Sequence, residues 1–306
     1  MEKNLSKPHN HSHSHHHDHH SDVKNIKVAF FLNFGFAIIE IIGGFLTNSV
    51  AILSDAVHDL GDSLSLGMAW YFQKYSRKKS DNVYTYGYRR FSLVGALANS
   101  LVLIIGSILI LTEAIPRIFN PQQANPQGMM LLAVLGIAVN GIAMLRLRRG
   151  KTLNKKVVSL HLLEDVLGWV AVLIGSIIMY FWDVPVIDPI LSLLIAGYVL
   201  FNVFKNMREL FRIILQGTPQ EINSDEIQVE ILKIDSVKGV HDVHLWTVDG
   251  IYNIMTIHVI LNQKKSMDEI TEIKNQIRNS LKNNGIEHVT LEFETEEEDC
   301  VMEGCC

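Results

Sequence analysis

The chain has 306 residues, of which 48% are hydrophobic and only 19% are charged, and its formal net charge is −5. A soluble globular chain carries about 25% charged residues. This composition excludes a disordered chain, a collagen and a disulfide-dense secreted scaffold, and it predicts that part of the chain lies in lipid. Three cysteines, Cys300, Cys305 and Cys306, cluster at the C-terminus. An odd cluster of this kind predicts metal-capturing thiols or an inert tail rather than a disulfide framework.

Residues 1–24 form a polar segment that is rich in histidine. Its histidines are His9, His11, His13, His15, His16, His17, His19 and His20. Serine, asparagine and aspartate interrupt them and no protease site follows, which favours a native segment with weak metal affinity over a purification tag. We expect this segment to be disordered because it has too few apolar residues to form a core.

Six apolar segments follow, each close to the roughly 20 residues that cross a bilayer as a helix. They span residues 26–47, 50–71, 91–111, 129–145, 157–181 and 189–204. Lysine and arginine cluster in the loops after the second and fourth segments, whereas the other three loops are very short or lack them. Because basic loops stay in the cytoplasm, we expect both termini there. The absence of an organelle signal favours a bacterial inner membrane.

From about residue 206 the composition becomes that of a soluble domain. Residues 224–235 predict a helix that begins near Ser224, and Asp249-Gly250 between two β-rich runs predicts a hairpin. Residues 266–285 predict a second helix, which Gly285 ends, and residues 288–294 predict a last strand. The fold class is therefore a membrane all-α six-helix bundle over 25–208, followed by a small ferredoxin- or metallochaperone-like α+β domain of order α-β-β-α-β over 209–306.

The second and fifth segments carry ionisable residues, which cost about 3 kcal/mol each at the bilayer centre. These residues are Asp55, His58, Asp59 and Asp62 in the second segment, and His161, Glu164 and Asp165 in the fifth. At about 100° per residue the four of the second segment share one stripe. His58/Asp62 and His161/Asp165 repeat an i, i+4 spacing that places each pair on one helix face.

Two imidazoles and two carboxylates suit a four-coordinate divalent metal, Zn²⁺ above all. A purely structural polar network is the alternative. An ion held inside lipid has no use without a conduit, so this pattern favours transport over storage.

The stretches SDAVHDLGD and HLLEDVLG, the six spans and the α-β-β-α-β domain together resemble the cation diffusion facilitator family of zinc transporters, over about residues 25–295. The resemblance implies a homodimer that exchanges metal for protons, with a transport site of His58, Asp62, His161 and Asp165. It also implies a zinc site at the cytoplasmic dimer interface. Its implied ligands are His241, His258, Glu292 and Glu294, with His244 as an alternative. Relatives often have His and Asp where this chain has the two glutamates.

Other polar residues of the spans have open roles. Asp55 lies on the site face and is expected to accept a hydrogen bond from a ligand or to gate the site. Asp59 is expected to face the dimer or an access cavity, and Glu164 to pair with a loop lysine. We expect the remaining polar residues to form hydrogen bonds between helices; they are Asn33, Glu40, Asn99 and Asn140. No metal site is expected in the loop between the second and third segments, which lacks His and Cys.

The sequence therefore predicts a secondary transporter that exports zinc, with cadmium and other transition metals as further candidate substrates, in exchange for protons by alternating access. The alternative is a non-transporting metal-binding partner or sensor of another carrier. An enzyme is not expected, because no H-E-x-x-H constellation with an open metal position occurs. The expected partners are divalent metal ions, the lipid bilayer and a second copy of the chain, with no nucleic acid.

Overall fold

The computed structural model describes residues 19–76, 78–148 and 153–295. Six long helices come first: α1 (His19–Thr47), α2 (Val50–Ser76), α3 (Phe91–Phe119), α4 (Pro126–Arg148), α5 (Leu153–Trp182) and α6 (Ile187–Ile214). Because α1 begins at His19, it includes the last six residues of the segment that the composition predicts to be disordered. The rest of that segment and the three cysteines lie outside the described residues.

Within the described residues, five helices are long and apolar enough to cross a membrane, namely α1, α3, α4, α5 and α6. α2 is of similar length but carries the ionisable stripe, and it packs against α1, α3 and α6. The six-helix bundle is thereby confirmed. Several helices extend past the predicted apolar segments. α6 continues to Ile214, beyond the predicted domain boundary at 208, since Leu210 is still buried near its end.

The start of α2 is fixed by a carboxylate from another helix. Asp188, in the first turn of α6, is fully buried and accepts hydrogen bonds from the Ser49 hydroxyl and from the N–H groups of Val50 and Ala51. These amides have no partner within their own helix, and a negative charge at a helix N-terminus is favourable. Asp188 therefore holds α2 against α6 about two turns from His58.

The soluble part contains α7 (Ser224–Ile231), β1 (Val237–Thr247), β2 (Asn253–Leu261), α8 (Met267–Asn283) and β3 (His288–Thr295). β1 pairs antiparallel with β2, and β2 pairs parallel with β3 across the α8 crossover. The predicted α-β-β-α-β order is confirmed. Aliphatic side chains of both helices and all three strands form one core.

Local sequence explains the ends of these elements. Asn223, rather than the expected Ser224, caps α7 by accepting a hydrogen bond from the Asp225 N–H. Ser266 and Glu269 form a capping box at the start of α8. The predicted hairpin at Asp249-Gly250 is present, and Gly250 adopts a φ of 90° there, a left-handed conformation that glycine accepts without strain.

Candidate metal centre

Four side chains from α2 and α5 meet inside the bundle. Across the two helices, His161 Nε2 lies 2.7 Å from Asp62 Oδ2, and His58 Nε2 lies 3.8 Å from Asp165 Oδ1. Along each helix, His58 Nε2 lies 3.8 Å from Asp62 Oδ2, and His161 Nε2 lies 4.0 Å from Asp165 Oδ2. The structure thus brings together all four residues that the sequence places in a transport site.

These spacings suit a tetrahedral zinc ion. Zinc bonds of about 2.0–2.1 Å place neighbouring donor atoms roughly 3.3 Å apart, and the four measured separations lie on both sides of that value. Donor atoms of His58, Asp62 and His161 all lie within 4.8 Å of one another. Asp165 Oδ1 is buried and accepts no hydrogen bond from the described part of the chain. A buried carboxylate oxygen without a hydrogen-bond partner is typical of a site that binds a cation.

The quartet is open on one side and closed on the other. The side chain of His161 is 40% exposed, whereas that of Asp165 is only 9% exposed. His58 and Asp62 are intermediate, at 22% and 25%. His161 is therefore the most exposed of the four residues, and Asp165 the least.

Asp55 lies one turn from the quartet on α2 and is buried. It faces α5 across Gly168, because a Cβ atom at Gly168 would lie 4.0 Å from Asp55 Oδ1. This position beside the closed end of the site is compatible with the expected supporting or gating role.

Two expectations for the other polar residues of the spans, those for Asp59 and Glu40, are wrong. Asp59 is buried at the contact with α1, where Asn33 donates a hydrogen bond to its backbone carbonyl, rather than at a dimer or cavity surface. Glu164 accepts a hydrogen bond from the Tyr198 hydroxyl on α6, and the lysine side chains of the loop before α5 lie outside the described part of the chain, so the expected pairing stays a prediction. Glu40 is completely buried, yet neither of its oxygens accepts a hydrogen bond from the residues that the structure describes.

A second cluster lies on the sheet of the C-terminal α+β domain. His241 and His258 are cross-strand partners on β1 and β2. Glu294 on β3 accepts from both, at 2.7 Å from His241 Nε2 and 2.6 Å from His258 Nδ1. Donor atoms of these three residues lie within 4.8 Å of one another. Glu292 is largely exposed and lies 3.4 Å from His258 Nε2, so the structure places all four expected residues of the cytoplasmic site in one patch.

The charge state of Glu294 follows from its neighbours. Desolvation raises the pKa of this carboxyl, but the hydrogen bonds that His241 and His258 donate outweigh desolvation, so the pKa lies below its ordinary value. Glu294 is therefore ionised at neutral pH, as a metal ligand must be.

Sequence reasoning missed Asp242. Strand alternation predicts that it points away from His241, but β1 has an irregularity between His241 and His244, and Asp242 has a φ of 47°. A bulge re-aims side chains in this way. Asp242 consequently lies 3.3 Å from His258 Nε2 and 2.9 Å from His244 Nε2. His244 is thus held by Asp242 rather than by the three-donor cluster.

The C-terminal α+β domain also contacts the loop between α2 and α3. Arg89 lies 3.7 Å from Asp249 in the β1–β2 turn, and its guanidinium lies 4.4 Å over the ring of Tyr252. Tyr86 packs edge-on against His288 at the start of β3. The two parts of the molecule are therefore joined by side-chain contacts as well as by the chain after α6.

A six-helix bundle with a His–Asp quartet between α2 and α5 defines an integral membrane protein with a candidate site for divalent metal ions. The family described as the cation efflux transmembrane domain matches residues 26–215, and the family described as the cation efflux protein, cytoplasmic domain, matches residues 219–296. The chain belongs to the cation efflux family, which confirms the resemblance to cation diffusion facilitators. It is a metal cation transporter and not an enzyme.

Curated relatives cover nearly the whole chain. A cadmium, cobalt and zinc/H(+)-K(+) antiporter of Bacillus velezensis is 34% identical over 94% of this chain and 92% of its own length. The metal cation efflux system protein CzcD of Cupriavidus metallidurans is 33% identical over 89% and 86%. The zinc transporter ZitB of Pectobacterium atrosepticum is 33% identical over 94% and 88%.

Proposed function

We propose that the chain exports Zn²⁺ from the cytoplasm in exchange for protons, by alternating access around His58, Asp62, His161 and Asp165. The observation that carries this proposal is the meeting of two imidazoles and two carboxylates from α2 and α5 at spacings that suit tetrahedral zinc. Cadmium and other transition metals that accept the same ligands are further candidate substrates, and the relative from Bacillus velezensis is named for cadmium, cobalt and zinc.

Proton exchange follows from the ligand chemistry. Zinc binds neutral imidazole and ionised carboxylate, so loading the site releases the protons that these groups held. An ordinary histidine titrates near pH ~6.5, within the range of physiological gradients. A proton gradient directed into the cytoplasm then favours zinc loading inside and zinc release outside.

In the proposed orientation, the more exposed His161 side of the site faces the cytoplasm. Basic residues in the loops after α2 and α4 favour those loops and both termini inside, in a bacterial inner membrane. His161 lies near the α5 end that follows the second of these loops. Zinc therefore enters from the His161 side, and movement of α5 relative to α2 near Asp55 opens the site to the outside.

The cytoplasmic domain supplies the dimer contact and a resident metal site. His241, His258 and Glu294 fit a zinc ion, with Glu292 or a residue of a second copy as the fourth ligand. When bound there, zinc would cross-link the strands that carry these residues. The contact of Arg89 with Asp249 gives this domain a direct connection to the transport helices.

The test is a flux assay in proteoliposomes that contain a zinc indicator and a pH indicator. Wild type is expected to move zinc against protons, and Asp62→Ala or His161→Ala to abolish both fluxes, whereas Glu164→Gln serves as a control on the same helix. Exchange of potassium for sodium shows whether potassium also serves as a counter-ion. Full zinc–proton exchange by His58→Ala, Asp62→Ala or Asp165→Ala contradicts the site, and zinc flux without proton flux in wild type contradicts the coupling.

A further inference from the structure

Glu40 lies in the C-terminal half of α1 and is the most completely buried carboxyl group of the described bundle, with 0% of its surface exposed. Neither Oε1 nor Oε2 accepts a hydrogen bond from any described residue. An ionised carboxylate without a partner is very costly in a medium of low dielectric constant, and more so within a membrane. The group is therefore neutral and carries a proton when the transport site is empty.

The groups around Glu40 are acidic. On α2, Asp59 and Asp55 act on it most strongly, with Asp59 within hydrogen-bonding reach, and Asp165 on α5 contributes from farther away. The part of α4 that packs on α1 contributes no titratable side chain between Pro126 and Leu145. Among the described residues, the side chains that act on Glu40 are carboxyl groups, and none of them stabilises its ionised form when the transport site is empty.

Zinc in the transport site changes this balance. Asp59 follows His58 directly in α2, so one side of this turn carries a transport ligand and the other side faces α1, where Asn33 contacts the Asp59 carbonyl. Zinc adds two positive charges at the quartet, less those of the protons that the ligands lose, and the remaining positive charge offsets the acidic surroundings of Glu40 through the low-dielectric interior. Glu40 itself lies outside the quartet and does not ligate the ion.

We propose that Glu40 is a proton-carrying residue of the transport cycle, which loses its proton when zinc loads and regains one when zinc leaves. The O–H bond breaks with its electron pair left on the carboxylate, and the proton goes to the cytoplasm. After zinc release the carboxylate takes up one proton from the outside. Each zinc ion exported is thus matched by one proton carried on Glu40, in addition to those displaced from the ligands. This inference rests on the proposed zinc–proton exchange.

The first experiment counts protons released on zinc binding to the detergent-solubilised full-length protein, by calorimetry in buffers of different ionisation enthalpy. Glu40→Gln is expected to release one proton fewer than wild type, with a correspondingly shallower rise of zinc affinity with pH. Glu40→Asp retains a titratable group and is expected to restore the count. Glu164→Gln is the matched control, because Glu164 is an exposed carboxylate of α5 that Tyr198 already stabilises.

The second experiment measures the zinc gradient that proteoliposomes reach at a pH difference of one unit and zero membrane potential. At this pH difference each exchanged proton supplies the free energy of one pH unit, which corresponds to a factor of ten in the zinc concentration ratio across the membrane. Exchange of one proton fewer per zinc therefore lowers the limiting ratio about tenfold. Glu40→Gln is expected to show this loss, and Glu164→Gln is not. Equal proton counts and equal gradients for Glu40→Gln and wild type overturn the inference while leaving zinc–proton exchange intact. Absence of any proton coupling in wild type overturns the proposed function itself.

A third measurement needs no substitution and remains decisive if Glu40→Gln fails to fold. Infrared difference spectra of wild type with and without zinc are expected to show the loss of a protonated-carboxyl band. That band should shift when glutamate is labelled with carbon-13 and should not shift when aspartate is labelled. A band that is absent, or that moves only with aspartate labelling, contradicts the assignment to Glu40.

Discussion

Gly136 on α4 lies directly against the ring of Trp169 on α5. A Cβ atom at this position would lie 2.4 Å from both Cδ2 and Cε2 of the indole, far inside van der Waals contact. The ring is 1% exposed and packs edge-on against Phe36, so it has little room to move. Trp169 follows Asp165 by one helical turn, and a displaced ring therefore shifts α5, with its two site residues, relative to α2.

Gly136→Ala should be compared with Gly141→Ala in the same helix, where an added Cβ meets no atom within 4 Å. Both substitutions gain about 1 kcal/mol of helix propensity, but only the first overpacks the core, at a cost of about 1–3 kcal/mol. At about 2–4 °C per kcal/mol, Gly136→Ala should melt between roughly 2 and 12 °C below Gly141→Ala in detergent, and should transport zinc more slowly. Equal melting temperatures would refute the rigid contact between α4 and α5.

Three further predictions follow from single contacts. Asp188→Ala removes the hydrogen-bond acceptor of a buried helix N-terminus and should destabilise the protein by about 1–3 kcal/mol; a thermal shift no larger than that of Asp183→Asn, an exposed carboxylate in the preceding loop, would contradict this role. Asp242→Asn should weaken zinc binding at the cytoplasmic site tenfold to hundredfold, as measured by calorimetry in a background without the transport site, and unchanged affinity would show that Asp242 does not orient His258. The Tyr88 hydroxyl, together with backbone N–H groups, lowers the pKa of Asp81 from 3.8 to about 2. The stabilisation by these hydrogen bonds to the ionised Asp81 is therefore fully present above its ordinary pKa of 3.8 and is lost as the pH falls toward 2. Tyr88→Phe should raise the pKa of Asp81 in a carbon-13 NMR titration, and an unchanged pKa would count against the hydrogen bond.

Periodicity in the sequence accounts for what lies within one helix. The i, i+4 pairs of α2 and α5 predict which side chains share a face, and charge in an apolar segment predicts that the two faces meet. The order of the cytoplasmic elements follows equally well from alternation, caps and the Asp249-Gly250 turn. In each of these cases the information is local, so neighbours in the chain are sufficient to predict the structure.

Contacts between distant segments account for what the sequence did not predict. Tyr198 approaches Glu164 from another helix, and the bulge in β1 turns Asp242 toward His258, which alternation alone excludes. The sequence predicts that Glu40 forms a hydrogen bond to another helix, but the side chains near it on α2 are themselves carboxyl groups. Such pairings depend on how far one element is shifted along its neighbour and on which faces meet. A single sequence does not specify either.

The central claim is that His58, Asp62, His161 and Asp165 bind the transported zinc. X-ray absorption at the zinc edge tests it in the full bundle, with residues 1–18 deleted, His258→Ala to remove the cytoplasmic site and the three cysteines changed to serine. The account predicts one bound zinc with four nitrogen or oxygen ligands at about 2.0–2.1 Å, two of them imidazoles. His161→Ala should lose one imidazole signal and most of the bound zinc. An unchanged zinc spectrum and zinc content in His161→Ala would contradict the site.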